Sequence, residues 1–258
     1  MNNKIDLKNL VSPNFIQEVE QLDLNRYHFK TLVRNESINY LCLNRRLTWM
    51  AVGHEHIEPE LLDWIDSIPK GESLYDIGAS NGIFSFYASA KGLNVTAFVP
   101  DASNFFLLSY NNFINNNKLN YFFNIALSNE NKISVLNSPK YEIGGHLKFI
   151  DSDKDVNGVK FLSEYSQNVL QFTLDNFIET YKLDYPKFLK VDIDGSEINA
   201  LNGANLALSK VNSIFIECHE NQFYRVNTIL SQGHKFHLKL KKQVQNYTKL
   251  FNCIYTKN

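Results

Sequence analysis

Cysteine is scarce in this chain of 258 residues, which contains only Cys42, Cys218 and Cys253. An odd number of widely separated cysteines predicts neither a disulfide framework nor a zinc site, so we expect reduced thiols in a cytoplasmic protein. Long apolar runs are missing as well. None approaches the roughly 18 residues of a membrane span, and the N-terminus lacks the apolar segment that is typical of a signal peptide.

An excess of charge of one sign is also absent, since the formal net charge is −1. Bulk charge therefore predicts neither a nucleic-acid partner nor binding to an anionic membrane. Apolar residues make up 44% of the chain, with 19 Phe and 13 Tyr, which is enough for a sizeable core. We expect a helical or irregular N-terminal extension at residues 1–55, in which a helix begins at Ser12 and Pro13, and one α/β domain at residues 56–258.

The stretch from Ser73 to Phe84 predicts a buried strand, a glycine-rich turn and the start of a helix, which is a common site for a nucleotide-like ligand. The turn is neither G-x-G-x-x-G nor a phosphate-binding loop, and the acid Asp76 at the strand end would repel a pyrophosphate. The pattern favours a ligand that carries positive charge, such as S-adenosylmethionine. Another nucleotide and a purely structural turn remain alternatives. The predicted cofactor contacts here are Asp76, Gly78, Ala79, Ser80, Asn81 and Gly82.

Two further predicted strands end in residues that suit the same ligand. After the strand at 94–98 come Pro100 and Asp101, and in ribose-binding folds an acid at this place accepts hydrogen bonds from the ribose hydroxyls. A helix N-cap is an equally good explanation of Asp101. After the strand at 121–125 come Ala126 and Leu127, where an adenine ring would lie.

Charged residues cluster after two other predicted strands. Lys190 and Asp192 alternate with apolar residues at the end of the strand 188–192, so both side chains point to one side of the sheet. The strand at 213–216 leads into Glu217 and His219. Ligands of α/β proteins bind at the carboxyl ends of parallel strands. We therefore predict catalytic roles for Lys190, Asp192 and His219, an additional cofactor contact for Asp192, and a substrate contact for Glu217.

Two segments outside this alternation are predicted to face the substrate. Residues 131–170 are predicted to form an insertion over the ligand face, with a strand at 133–136 and a turn at 144–146. Loops of this kind commonly select the substrate. His146 is the candidate contact there. Residues 53–58 read as a polar loop beside the cleft, with His54 as a further substrate contact. Its two histidines could instead bind a metal ion, but a third ligand is missing, so no metal site is predicted.

The chain resembles the FkbM-family methyltransferases over roughly residues 55–257. The resemblance implies a class I, Rossmann-like α/β fold with a seven-stranded, mostly parallel sheet and an antiparallel C-terminal strand. It also implies S-adenosylmethionine as cofactor and methyl transfer, usually to a hydroxyl oxygen of a sugar, glycan or other metabolite, so the expected partner is a small-molecule or glycan acceptor. The motifs that carry it are Leu74–Phe84, Val95–Asp101, Asn124–Ser128, Thr173–Ile178, Lys190–Glu197 and Ile216–His219.

Two positions depart from the pattern of this family. Asp194 replaces the usual Glu of the motif K-x-D-x-E-G-x-E. Val99 replaces the Glu that commonly precedes proline after the second strand and that contacts the ribose. Either Asp101 or a loop residue supplies this contact, or the affinity for the cofactor is reduced.

Methyl transfer to a hydroxyl group requires alignment of the reactants and removal of a proton. We expect His219 to be the proton acceptor, because a neutral imidazole suits this role near pH 7. Asp192 and His146 are alternatives, as is Lys190 if burial lowers its pKa. Asp192 and Glu217 could instead hold a divalent cation that binds substrate hydroxyls, which we favour less. Two other classes remain open: an NAD-type oxidoreductase, and a binding domain that kept the fold without the activity.

Overall fold

The computed structural model describes residues 27–245 and 247–257. The helix expected at Ser12 and Pro13 lies outside the described residues. In chain order the elements are β1 (His28–Val33), β2 (Glu36–Leu41), α1 (Arg45–Ile57), α2 (Pro59–Asp66), β3 (Ser73–Ile77), α3 (Ile83–Ala90), β4 (Asn94–Phe98), α4 (Ala102–Ile114), β5 (Tyr121–Phe123), β6 (Ala126–Leu127), β7 (Lys132–Ser138), β8 (Phe149–Ile150), β9 (Tyr165–Phe172), α5 (Leu174–Tyr181), β10 (Phe188–Val191), α6 (Glu197–Asn202), α7 (Asn205–Lys210), β11 (Ser213–His219), α8 (Glu220–Asn227), a π-helical turn (Thr228–Gly233), β12 (His237–Gln243) and β13 (Leu250–Thr256).

The central sheet has seven strands in the order β12-β13-β11-β10-β3-β4-β5. β13 runs antiparallel to both of its neighbours, and the other pairs are parallel. This arrangement confirms the predicted seven-stranded, mostly parallel sheet with an antiparallel C-terminal strand. Since β3 lies beside both β4 and β10, the carboxyl ends of these three strands meet at one edge.

Helices cover the sheet on both faces because the buried strands present apolar side chains to each side. The hairpin β1–β2 and helices α1 to α4 form the core on one face, and helices α5 to α8 form it on the other. Asp76 and Lys190 are directly paired on β3 and β10 and lie on the first of these faces. No helix of the described residues combines the length and the apolar character needed to cross a membrane.

The described part of the N-terminal extension consists of a hairpin followed by a helix. Residues 28–41 form an antiparallel hairpin, and the expected polar loop at 53–58 is helical as far as Ile57. The buried residues of α1 are Leu47, Ala51 and His54, which follow the spacing of one helix face. This helix face could not be recognised in the sequence, because one of its residues is a histidine and because Gly53 is a poor helix former.

The expected insertion forms a second, four-stranded sheet in the order β6-β9-β7-β8. The strand predicted at 133–136 lies within β7, and the turn predicted at 144–146 lies in the connection from β7 to β8. β7 pairs antiparallel with β8 and β9, and β6 joins this sheet in parallel with β9. The second sheet places the segment around residue 146 over the carboxyl ends of the central strands.

Candidate active site

A cavity opens at the carboxyl ends of β3, β4 and β10, between the central sheet and the inserted segment. Its apolar walls include Phe98, Ile125 and Leu136, which suit a flat aromatic ring. Eight of the predicted site residues meet there, although they are far apart in the sequence: Gly78, Ser80, Pro100, Asp101, Ala126, Leu127, His146 and Asp192.

The turn after β3 packs closely against the end of β10. Gly78 has φ +87°, and a Cβ atom at this position would lie 1.8 Å from the backbone oxygen of Asp192. A side chain is excluded at Gly78 both by the backbone conformation and by this contact. The close approach brings the glycine turn and Asp192 to the same wall of the cavity.

Asp76 forms a buried ion pair instead of facing the cavity. The residue is 1% exposed; Oδ1 lies 3.0 Å from Lys190 Nζ, and Oδ2 accepts a hydrogen bond of 2.6 Å from Ser85 Oγ. Burial by itself would lower the pKa of Lys190, but the charges of Asp76, Asp192 and Glu58 outweigh it and raise this pKa. Lys190 therefore remains an ammonium group, which corrects its prediction as a proton acceptor. Asp76 supports the turn from below.

The carboxyl groups of Asp192, Glu217 and Glu58 lie near one another at this end of the sheet. Val191 pairs with Ile216, so Asp192 and Glu217 follow side by side at the strand ends. Burial, followed by the charge of Asp192, raises the pKa of Glu217 well above its usual value. The same two causes raise the pKa of Glu58, at the junction of α1 and α2, to about 8.

The loop that follows Asp192 is held by two further carboxylates. Glu197 Oε1 accepts hydrogen bonds from the backbone N–H groups of Ile193 and Gly195, at 3.2 and 3.0 Å. Asp194 Oδ2 accepts a bond of 2.8 Å from Leu147 N of the inserted segment. Burial raises the pKa of Glu197 to about 7, and burial with the charge of Asp192 raises that of Asp194 to about 6. The loop and the inserted segment are thereby tied together over the cavity.

The inserted segment is fixed at its turn by side chains from two helices. Asn104 on α4 accepts a bond from Gly144 N and donates one to Gly145 O, both at 3.0 Å. Asn44, the N-cap of α1, donates to Ile143 O at 2.8 Å. Gly144 has φ +79°, and a Cβ atom there would lie 2.4 Å from a Leu47 methyl carbon. These contacts hold His146 and Lys148 at the cavity.

Asp101 has the capping role that the sequence left as one of two alternatives. Its Oδ1 accepts a hydrogen bond of 2.8 Å from Asn104 N at the start of α4 and lies 2.8 Å from Lys148 Nζ. Asp101 and Lys148 both line the cavity. A contact from Asp101 to a ribose therefore stays a prediction. The ribose hydroxyls would compete with Lys148 for the Asp101 carboxylate.

The comparisons with known proteins agree with this geometry. The family model of the methyltransferase FkbM domain matches residues 76–248, which is more than half of the chain. The chain belongs to the FkbM methyltransferase family.

Hexuronic acid methyltransferase AglP of Haloferax volcanii is 26% identical to this FkbM methyltransferase over 156 residues, or 60% of the chain and 59% of AglP. The chain thus spans about three fifths of the relative that it matches. Magnesium protoporphyrin IX methyltransferase (ChlM) from Synechocystis PCC 6803 has a similar structure, with a TM-score of 0.49, 10% identity and 100% of both chains covered. The M. jannaschii tRNA m1G37 methyltransferase also has a TM-score of 0.49, with 11% identity, 91% of this chain and 58% of that chain covered.

The residues of the cavity fit S-adenosylmethionine by their chemistry. Apolar side chains with Ala126 and Leu127 form a slot for the adenine ring, and Asp101 offers a carboxylate for ribose hydroxyls. Asp192 and Asp194 place negative charge near the glycine turn, where the ammonium and sulfonium groups would be neutralised. The family's usual Glu is absent at Val99, but Asp101 lies two residues on and lines the same cavity.

Three histidines of the FkbM methyltransferase had been predicted at the site, and two of them lie elsewhere. His54 is 0% exposed and packs against Phe84 and Tyr87, and its burial lowers its pKa to about 3. This corrects the prediction of a substrate contact for His54. His219 is the half-buried last residue of β11 and is not among the residues that line the cavity. Burial lowers its pKa.

Other predicted residues support the cavity from behind and do not line it. Ala79 is packed in the core under the turn, and Asn81 is 2% exposed with its backbone oxygen bonded to Asn111 Nδ2 at 2.9 Å. Gly82 is the N-cap of α3. Among the described residues, no group of three or more His, Cys, Asp and Glu side chains is arranged to hold a metal ion.

Sequence reasoning missed four residues that shape the site: Glu58, Arg46, Asn104 and Lys148. No motif marks any of them in the sequence, and tertiary packing brings them to the strand ends. Two signals were available: the charge of Lys148 within the predicted insertion, and the position of Glu58 in the polar loop predicted at 53–58. Glu58 is followed by Pro59, which marks a helix start but gives no indication of a chemical role.

Proposed function

We propose that this methyltransferase acts on a hydroxyl oxygen of a sugar, a glycan or a related metabolite. The observation that carries the proposal is the group of carboxyls formed by Asp192 and Glu217 at the strand ends and by Glu58 at the junction of α1 and α2. An alcohol must lose a proton when its oxygen is methylated, and carboxylates can accept it. A sugar acceptor is supported by the relative AglP, a hexuronic acid methyltransferase.

S-adenosylmethionine supplies a methyl group that is already activated on a sulfonium. The protein therefore has two tasks, which are alignment of the acceptor oxygen and removal of its proton. Alignment of the reactants lowers the activation free energy by about 7–11 kcal/mol in well-oriented reactions. A positioned base contributes about 10²–10⁴-fold in rate. A variant that lacks the base should thus retain slow transfer.

Asp192 is the residue best placed to accept a hydrogen bond from the acceptor hydroxyl. It lines the cavity at the end of β10, and its Oδ2 lies 3.4 Å from Lys190 Nζ. Lys190 is fixed in turn by Asp76 beneath it. The ammonium group of Lys190 thereby orients the Asp192 carboxylate toward the cavity.

The proton of the hydroxyl passes into the carboxyl group formed by Asp192, Glu58 and Glu217. Glu58 and Glu217 lie close enough for the charge of Glu58 to raise the pKa of Glu217. The pKa of Glu58, raised to about 8, places one step of the titration of these carboxyls near neutral pH. A base with a pKa near the working pH is effective because it both takes and releases the proton readily.

His146 is not suited to this role, although it lines the cavity. Its Nδ1 faces an Nη2 atom of Arg46, and a guanidinium group can only donate hydrogen bonds. The neutral imidazole therefore carries its hydrogen on Nε2, the nitrogen that remains for other partners. That nitrogen donates a hydrogen bond and cannot take a proton from the acceptor.

A small-molecule or glycan acceptor remains our proposal for the partner, in preference to a nucleic acid, because the net charge is −1. A cytoplasmic location also remains a proposal. It rests on the three cysteines, all of which are free thiols in the structure.

The experiment that tests the proposal follows methyl transfer from S-adenosylmethionine to a panel of glycosides between pH 6 and pH 9. We expect a methyl ether as product and a kcat that rises through about pH 8, because the Glu58 carboxyl accepts a proton only after it has lost its own. Transfer to a nitrogen or carbon atom, or to none of the hydroxyl acceptors, would contradict the proposal.

The variant Glu58→Gln is the control for the pH dependence. It removes the carboxyl to whose deprotonation the rise near pH 8 is assigned. We expect the rising limb of kcat near pH 8 to be lost in this variant. An unchanged limb in this variant would show that Glu58 takes no part in the proton transfer.

A further inference from the structure

The guanidinium group of Arg46 is held beside the cavity by the turn that carries His146. Its Nε donates a hydrogen bond of 2.9 Å to Gly144 O, and its Nη2 donates to His146 Nδ1. Gly144 is itself fixed by Asn104 at 3.0 Å. Two bonds to one turn leave the guanidinium plane with a defined orientation, and its remaining N–H groups are free for another acceptor.

Arg46 has no negative partner among the residues that the structure describes. It takes part in none of their ion pairs. Its neighbour His146 does not compensate the charge, because burial and the charge of Arg46 lower the pKa of this imidazole. A rigid cation beside a cavity, with a neutral partner, is prepared to receive an anion.

A second donor lies beside the guanidinium. Since Arg46 donates to Nδ1 of His146, the hydrogen of the imidazole is on Nε2, and His146 lines the cavity. The Nε2–H of His146 and the remaining N–H groups of Arg46 are therefore both donors at this turn. A guanidinium with free N–H groups and one positive charge matches a carboxylate better than a lone hydroxyl.

We propose that Arg46 and His146 form a binding site for a carboxylate group, and that an acidic acceptor such as a uronic acid supplies it. This inference rests on the proposed function and restricts the class of acceptor to acidic sugars and related acids. The carboxylate of the cofactor is the other group that could bind at this site. We assign the site to the acceptor because its residues come from α1 and the inserted segment, which are additions to the sheet whose strand ends hold the cofactor.

The test compares two glycosides that differ in this one group, methyl glucuronoside and methyl glucoside. Their binding to the protein loaded with S-adenosylhomocysteine is measured by NMR titration, which needs no turnover. We expect the glucuronoside to bind at least about tenfold more tightly, since hydrogen bonds to charged groups are the stronger ones. Arg46→Gln should remove this preference and leave the affinity for the glucoside unchanged.

Arg45→Gln is the matched control, because Arg45 is the exposed neighbour on the same helix turn and its loss changes the net charge equally. It should keep the preference for the glucuronoside. A second arm measures the affinities for S-adenosylhomocysteine and for methylthioadenosine, which lacks the carboxylate. Arg46→Gln should change neither affinity.

Three results would overturn the inference. One is that the wild type binds both glycosides with equal affinity, or binds neither of them. Another is an equal loss of preference in the Arg45 and Arg46 variants. The last is a weaker affinity of the Arg46 variant for S-adenosylhomocysteine alone, which would assign the carboxylate to the cofactor. Tight binding of the glucuronoside without methyl transfer would leave this inference standing and contradict the proposed function.

Discussion

Replacement of Lys190 by methionine should lower the free energy of unfolding by about 3–5 kcal/mol, the usual cost of leaving a buried charge without its partner. Lys190 is 2% exposed, and Asp76, its partner at 3.0 Å, is 1% exposed. Methionine has a similar length but no charge, so the Asp76 carboxylate would keep only its bond from Ser85. Chemical denaturation of both proteins measures the difference.

The double variant with Asp76→Asn and Lys190→Met is the control. An asparagine oxygen can still accept the bond from Ser85, and no buried charge remains in the pair. We expect the double variant to recover much of the lost stability, because exchange of a whole buried ion pair costs far less than removal of one partner. A loss below about 1 kcal/mol in Lys190→Met alone would show that the pair is solvated, as surface pairs are.

Asp192→Asn should lower kcat by about 10²–10³-fold, within the range that a positioned base contributes. The asparagine has the same shape and still meets Lys190, but it cannot take part in uptake of the proton. Alignment by the remaining residues should leave measurable activity. The measurement is the initial rate of methyl transfer at saturating S-adenosylmethionine and acceptor.

Asp194→Asn is the matched control for Asp192→Asn. It removes the same charge from the same loop, and an asparagine oxygen can still accept the bond from Leu147 N. We expect less than a tenfold loss of kcat from this variant, since the side chain is engaged with the inserted segment. Equal losses in the two variants would mean that the charge of the loop, and no specific carboxylate, sets the rate.

Local sequence patterns were sufficient for the elements whose signal lies within a few residues. The strand Asn94–Phe98 has the predicted bounds. The carboxyl ends of β3, β4 and β10 meet because parallel strands share their direction. For this reason Pro100, Leu127 and Asp192 could be assigned to one cavity before the structure was known.

The direction of each side chain could not be obtained in the same way. An acid at the end of β3 looks like a ligand contact, but Asp76 is directly opposite Lys190 in the register of the sheet, so the two neutralise each other. The sequence predicts His54 as a polar loop residue, but it lies on the buried face of α1 and points into the core. Arg46 reaches the site from the N-terminal extension and Glu58 from the segment just after it, and no motif in the sequence indicates what they will face.

Hydrogen exchange with and without S-adenosylhomocysteine tests the central claim most directly, because it shows both whether the protein binds the cofactor product and where. We predict slower exchange of backbone amides in three segments that are distant in sequence, residues 78–82, 99–102 and 125–128, and in the turn at 144–148. Slower exchange confined to other parts of the chain, or no change at millimolar ligand, would contradict the assignment of the cavity as the cofactor site.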